Sequence, residues 1–370
     1  VFFTLETQKM ATWLIYALGG GWGHLTRSLS LGRIAARYHR VKIITNSPYA
    51  TYLRDESCDV QVIAPDADFP ATCEQVQDVL LNTRYDCLIV DTFPRGLGGE
   101  LADILPQLKH IPRILIHRDI NPAYVHRFEL RSFVSKHFNA VIVPGDGEDS
   151  PLADLPIVHY TSPWLIRNAE ELPDRKKARS LLALDALCYK PGDCKWQLDK
   201  QIPPSRTKET EFTIKTKIIL VCAAGQASEL SFFGKLSTHL NVAFPYAAVR
   251  VLAPVCPQGC PPQFWVSHSP GIECLPAADL VVGGAGYNTV YECAAVGVPL
   301  VAFAFKRLYD RQHQRASKHT YFAQTIEEAI ASVGMLLNRV ETLNIDANLS
   351  SFFTNGAVQA VDLIDQVLSR

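Results

Sequence analysis

The stretch that decides the fold runs Ala278-Asp279-Leu280-Val281-Val282-Gly283-Gly284-Ala285-Gly286-Tyr287-Asn288-Thr289-Val290-Tyr291-Glu292. Residues 280–282 read as a strand, the glycines as a tight turn, and Tyr287 onward as a helix. Glycine permits such a turn and lets another molecule approach the backbone closely. The unpaired N–H groups at the helix start, with the helix dipole behind them, favour an anion such as a diphosphate. Glu292 falls about one and a half turns into that helix, where it can accept hydrogen bonds from two ribose hydroxyls. A solvated helix carboxylate is the competing reading of Glu292, and for that residue taken alone it would prevail.

Around this stretch the pattern repeats. Strand-like apolar runs lie at 217–223, 247–253 and 299–305, and helical periodicity at 229–240, 287–296, 325–337 and 357–368. The N-terminal half alternates in the same way, with strands at 12–18, 41–45, 85–90, 113–116 and 139–143 and a helix at 25–38. Continuous apolar strands are buried on both faces, as in parallel sheets, and their alternation with helices builds α/β doubly wound domains. The expected organisation is an upstream extension at 1–9, an N-terminal domain at 10–160, a C-terminal domain at 161–355 and a closing helix at 356–370. The junction falls in the Pro- and acid-rich stretch 151–174. The polar, Pro- and Lys-rich segment 189–213 reads as a long loop.

The chain has 370 residues and a net charge of −1. That length accommodates two domains of ordinary size, and that charge gives no bulk attraction to nucleic acid. No apolar stretch reaches the roughly 18 residues of a membrane span. Residues 1–9 lack the features of a signal peptide, so a cytoplasmic location is the expectation. The ten cysteines include Cys256/Cys260 and Cys188/Cys194 as closely spaced pairs. Neither pair has the second ligand pair that zinc needs, and free thiols are expected.

A second glycine turn, Gly19-Gly20-Gly21-Trp22-Gly23-His24, follows the first strand and opens a helix. It matches neither the dinucleotide fingerprint nor a P-loop. A bare strand–helix turn is the plain reading. His24 adds a group suited to proton transfer near neutral pH at the carboxyl end of a sheet.

Taken together, residues 278–292, Ala295, Gly297 and Pro299, the step Asp310-Arg311-Gln312-His313-Gln314, and the loop Gly19–Leu25 with Arg27 resemble, in the same order, the bacterial cell-wall N-acetylglucosaminyltransferase group of nucleotide-sugar glycosyltransferases (family 28-like). The resemblance covers both halves. It implies a GT-B fold, two Rossmann-like domains facing a cleft. It implies that Gly284, Ala285, Gly286, Tyr287, Asn288 and Thr289 hold the donor diphosphate, that Glu292 holds the ribose, and that Asp310, Gln312 and His313 meet the sugar. Gly20, Gly21, Gly23 and Arg27 would form the acceptor-side loop. The sequence departs from the pattern at His313, where a second Gln is usual, and at Ala223-Ala224-Gly225, which leaves Gly225 and Gln226 for phosphate contact.

Inverting transfer needs a base for the acceptor hydroxyl, stabilisation of the departing diphosphate, and exclusion of water. His24 is the candidate base. Asp91, ending the strand at 85–90, is the candidate partner that fixes its tautomer, with a helix cap as the rival reading. Asp119 is the second choice of partner. Asp66-Ala67-Asp68 has the form of a metal-binding Asp-x-Asp but sits away from the donor motifs, so it reads as a solvated turn and no metal or other cofactor is expected. The expected activity is inverting, metal-independent transfer of a hexose or N-acetylhexosamine from a nucleotide-sugar, first of all a UDP-sugar, to a hydroxyl acceptor. A nucleotide-sugar 2-epimerase and a non-catalytic nucleotide-sugar-binding subunit are the alternatives. The acceptor is not named by the sequence. The resemblance admits a lipid-linked or cell-envelope glycan and peripheral contact with the inner membrane face.

Overall fold

A computed structural model describes residues 10–52, 57–118, 120–145, 150–184, 217–225, 227–307, 310–339 and 353–369. Residues 1–9, the 189–213 segment, Asp119, Gln226, Cys188 and Cys194 lie outside them.

The N-terminal half runs β1 (Thr12–Tyr16), α1 (Trp22–Ala35), β2 (Arg40–Thr45), β3 (Asp59–Val62), α2 (Phe69–Asn82), β4 (Cys87–Asp91), α3 (Leu101–Ile104), β5 (Arg113–Ile116), α4 (Pro122–Arg127), α5 (Leu130–His137), β6 (Ala140–Pro144) and β7 (Val158–Thr161). Its strands form one sheet in the order β3-β2-β1-β4-β5-β6-β7, every pair parallel. After α6 (Arg175–Leu181) the C-terminal half runs β8 (Lys217–Cys222), α7 (Ala227–Ala243), β9 (Ala247–Leu252), β10 (Trp265–Val266), β11 (Leu280–Gly284), α8 (Tyr287–Val296), β12 (Leu300–Phe303), α9 (Gln312–His319), β13 (Tyr321–Phe322) and α10 (Ile326–Arg339). Its sheet is also parallel, in the order β10-β9-β8-β11-β12-β13. In each sheet the strand order reverses beside the first strand of the half, and open α/β sheets bind ligands at the carboxyl edge of such a switch point.

The inner strands are apolar because both faces are covered. Trp13, Leu14, Ile15 and Tyr16 are fully buried, and so are Cys87, Leu88, Ile89 and Val90. The last helix, α11 (Gly356–Leu368), returns to the N-terminal half and packs on α1, β6 and β7. One apolar cluster therefore runs from Trp13 and Leu29 through Tyr287 and Val290 to Ile364.

The expected elements are present with shifted ends. The first strand stops at Tyr16 and the first helix begins at Trp22, so the Gly19–Gly21 turn is short. Strands β3, β7, β10 and β13 were not expected. They are short and half-exposed, with no continuous apolar run to mark them. Asp66 and Asp68 are exposed, and Asp68 caps α2 by accepting from the Ala71 amide at 2.8 Å.

Candidate active site

The carboxyl edges of the two sheets face each other. On the N-terminal side, α1 starts at Trp22 and carries His24 in its first turn. His24 Nδ1 lies 2.6 Å from Asp91 Oδ2. Asp91 ends β4 and is fully buried. Behind it, Arg27 donates to both carboxylate oxygens, each at 2.7 Å, and to Thr92 Oγ1 at 2.9 Å. Thr92 has φ 71, a costly conformation for a β-branched residue. It turns the chain sharply after Asp91, and Phe93 then stacks on the His24 ring at 5.3 Å. Asp91 is thus a partner of His24 and not a helix cap.

The charges of this cluster follow from its burial. Burial alone would raise the Asp91 carboxyl, but the Arg27 charge and the His24 hydrogen bond outweigh it and bring it down to about 2. For His24, burial lowers the imidazole below 6.5, and the opposing pull of Asp91 does not restore it. The ring is therefore neutral at pH 7. With Nδ1–H donated to Asp91, Nε2 keeps the lone pair. Gly19 makes this placement feasible: its φ is +148, and a Cβ there would lie 2.3 Å from His24 Cδ2. A Cβ at Gly20 or Gly286 would meet nothing within 4 Å, so these glycines leave open space on the two sides of the cleft.

On the C-terminal side, β11 ends at Gly284 and α8 begins at Tyr287 behind Gly286, with no side chain capping the helix. A cavity of about 440 Å³ lies between this end and His24, bordered also by Arg118, Arg307 and Gln312. It adjoins a second cavity of about 400 Å³ with apolar walls including Leu252, Pro254 and Leu275, and with Asn288, Thr289 and Glu292 on one side. Trp22 and Tyr52 cover it from the N-terminal half. Glu292 is half-buried, and burial pushes its carboxyl up to about 7. This is not a solvated helix carboxylate.

The architecture is similar to that of several solved structures. A UDP-glucosyltransferase from Polygonum tinctorium matches with a TM-score of 0.57 at 14% identity, covering 98% of this chain and 100% of that one. MurG of Acinetobacter baumannii matches with a TM-score of 0.54 at 14% identity, covering 96% and 99%. The UDP-GlcNAc 2-epimerase of Methanocaldococcus jannaschii matches with a TM-score of 0.55 at 11% identity, covering 96% and 99%. The fold is GT-B. No protein-family model and no curated protein sequence matches the chain.

Within this GT-B cleft several expectations need correction. Arg27 is not an acceptor-side residue, because it is fully buried beneath Asp91. Ala285 offers no N–H to a diphosphate, because that N–H bonds the Phe303 carbonyl at 2.8 Å. His313 lies outside the cleft: it is exposed and meets the edge of Phe322 at 4.8 Å. Asp310 borders the cleft but is engaged, pairing with Arg118 at 2.5 Å and Arg315 at 2.8 Å. Gln312 holds the loop before it by accepting from the Phe305 amide at 3.0 Å. Gly225, at φ +118, sits beside Glu229, and Glu229 forms a two-bond pair with Arg307, one contact at 2.6 Å.

Arg118, Arg307 and the stacked pair Trp22–Tyr49, 4.7 Å apart, escaped the sequence reading. The two arginines had a signal: each follows an apolar strand at its carboxyl end, where charged residues meet ligands.

Proposed function

We propose that the protein transfers a sugar from a nucleotide-sugar, first of all a UDP-sugar, to a hydroxyl acceptor with inversion at the anomeric carbon. The observation that carries this reading is the Arg27–Asp91–His24 relay opening onto the same cavity as the first turn of α8. In the reaction, the acceptor oxygen attacks the anomeric carbon while Nε2 of His24 takes its proton. The bond from that carbon to the phosphate oxygen breaks, and the nucleoside diphosphate leaves. Asp91 stabilises the resulting imidazolium. The unpaired N–H groups of Tyr287, Asn288 and Thr289 stabilise the departing diphosphate. Glu292 takes the ribose, and the apolar cavity next to it takes the base. Arg27 holds Asp91 ionised and touches no substrate.

The reading includes independence from metal. Among the described residues no cluster of three or more His, Cys, Asp or Glu is arranged to hold an ion, and helix N–H groups supply the stabilising charge. No described helix is long and apolar enough to cross a membrane. Lipid-linked acceptors, used at a membrane surface, belong in the acceptor screen beside hydrophilic ones.

The test incubates the protein with UDP- and GDP-sugars and a hydroxyl acceptor panel in EDTA, following product by mass spectrometry. A glycosylated acceptor is the expected result. Donor epimerisation without transfer, or turnover only after Mn²⁺ or Mg²⁺ is restored, overturns the reading.

A further inference from the structure

The apolar cavity beside the catalytic one runs along the carboxyl edge of the C-terminal sheet. Asn288, Thr289 and Glu292 of α8 border it after β11, and Ser267, His268 and Ser269 border it just past β10. Strands β10 and β11 are separated by β9 and β8, which sets their ends about 14 Å apart. A nucleoside fits along that span, with its ribose at Glu292 and its base toward β10.

His268 is the half-buried ring at the β10 end. Its Nε2 lies 2.8 Å from Glu273 Oε2. Glu273 stands in the helical turn Gly271–Ala277, and its other oxygen accepts from Arg167 Nε at 2.8 Å. Arg167 belongs to the chain that crosses from β7 to α6. Burial alone would raise the Glu273 carboxyl, but the hydrogen bonds from His268 and Arg167 outweigh it and hold it below its ordinary range. An ionised carboxylate only accepts. In the neutral ring the proton therefore sits on Nε2, and Nδ1 carries the lone pair. Among the described residues Nδ1 has no partner.

We propose that His268 selects the nucleobase of the donor: Nδ1 accepts a hydrogen bond from the ring N–H of uracil or guanine. Cytosine and adenine are rejected, because their corresponding ring nitrogen is itself an acceptor. The proposal rests on the glycosyl-transfer reading, which places a nucleotide in this cavity. Two lone pairs set against each other leave both atoms unsatisfied once the base has displaced water. The other side chains at this end do not choose. Leu252, Pro254 and Leu275 offer apolar surface to any base, and the hydroxyls of Ser267 and Ser269 turn to donate or accept. The imidazole, fixed by Glu273, has one sense.

The experiment titrates UDP, CDP, GDP and ADP into the full chain by calorimetry at pH 8, above the ordinary imidazole range. UDP should bind about tenfold or more tighter than CDP, or GDP than ADP, whichever pair the cavity admits. His268→Leu should shrink that ratio to about twofold by weakening the preferred nucleotide. His268→Asn, whose amide oxygen stands near the place of Nδ1, should regain most of it. No preference within either pair, a preference for CDP or ADP, or a ratio unchanged in His268→Leu overturns the selection and leaves the glycosyl-transfer reading standing. An equal loss of affinity for all four nucleotides shows that His268 only supports its loop, and overturns the selection likewise. A ratio lost equally in both variants overturns acceptance through the ring nitrogen. A chain that binds none of the four overturns the glycosyl-transfer reading, and the selection with it.

Discussion

His24 joins opposing demands in one side chain. Its Nδ1 contact with Asp91 favours the imidazolium, yet burial and the nearby Arg27 and Arg118 charges disfavour it, and the net shift is downward. A base with a lowered pKa is unprotonated over more of the pH range. For kcat/KM, the expected profile rises with pH through a midpoint below 6.5, since this parameter reports the free enzyme. Asp91→Asn removes the group that raises the imidazole, so the midpoint should move lower still while kcat falls. His24→Ala should lower kcat by ~10²–10⁴ and leave donor affinity unchanged. A near-normal rate with an unaltered profile would remove His24 from the base role. Glu292 presents the reverse situation. Its carboxyl is raised to about 7 by burial, so ionising it costs the fold stability above its unfolded value, fully so above pH 7. Glu292→Gln should therefore raise stability at pH 8 by about 1–3 kcal/mol while weakening donor binding about tenfold. Wild-type donor affinity should decline as pH falls through 7, and that of the variant should not. Calorimetry over pH 5.5–8.5 checks both, and equal donor affinity would remove Glu292 from the site. The placement of His24 and Glu292 at the cleft was legible in the sequence because each sits at a fixed offset from a glycine turn, and that of Asp91 because it ends an apolar strand. His313 was misread because the offset said nothing of the helix face: in α9, Gln312, Arg315 and Ala316 point inward and His313 outward.

At the scale of elements, the inner strands could be read because burial on both faces leaves uninterrupted apolar runs. The edge strands β3, β7, β10 and β13 could not. Their pairing is decided by the neighbouring strand, and their own residues are mixed in character. The same limit applies to the loops that bring Arg118 to Asp310 and Arg307 to Glu229, since each pair joins residues far apart in sequence. The turn from β8 to α7 shows how tightly such a loop is set. Gly225 holds φ +118, and a Cβ there would fall 1.9 Å from Glu229 Oε2. Gly225→Ala should therefore part Glu229, a carboxylate that is 5% exposed, from Arg307. Parting this half-buried pair should cost about 1–3 kcal/mol, and Arg307, bordering the catalytic cavity, would be displaced with it. The expected outcome is a lower Tm together with weaker donor binding. A variant with wild-type Tm would show that the turn is less constrained than its dihedral implies.

The whole molecule is held together by a chain that crosses the cleft more than once. After the C-terminal sheet is complete, α11 lies back against α1, β6 and β7 of the N-terminal half. Asn355 sets its start. Its Nδ2 donates to the Leu165 carbonyl and to Asn168 Oδ1, each at 2.8 Å, and its Oδ1 accepts from the Leu165 and Ala357 amides, each at 3.1 Å. Ala357, Ala360, Val361 and Ile364 are buried in the apolar cluster that also holds Trp13, Leu29 and Ile34. The N-terminal half therefore owes part of its core to the last helix of the chain. Removing residues 353–370 would uncover that face. Val361 and Ile364 alone are worth about 1.5–3 kcal/mol each, and the alanines and the Asn355 bonds add to this. The sum approaches the roughly 5–15 kcal/mol that stabilises an ordinary domain. The truncated chain should lose cooperative unfolding of its N-terminal half and bind a hydrophobic dye, and transfer should cease even though α8 and Glu292 remain. Asn355→Ala is the milder form. It leaves the helix in place but unpairs the buried backbone of Leu165, at a cost of about 2–4 kcal/mol. Chemical denaturation followed by circular dichroism measures both. If the truncated protein unfolds at the wild-type midpoint, α11 is an ornament on the N-terminal half, and the two sheets are stabilised independently of each other.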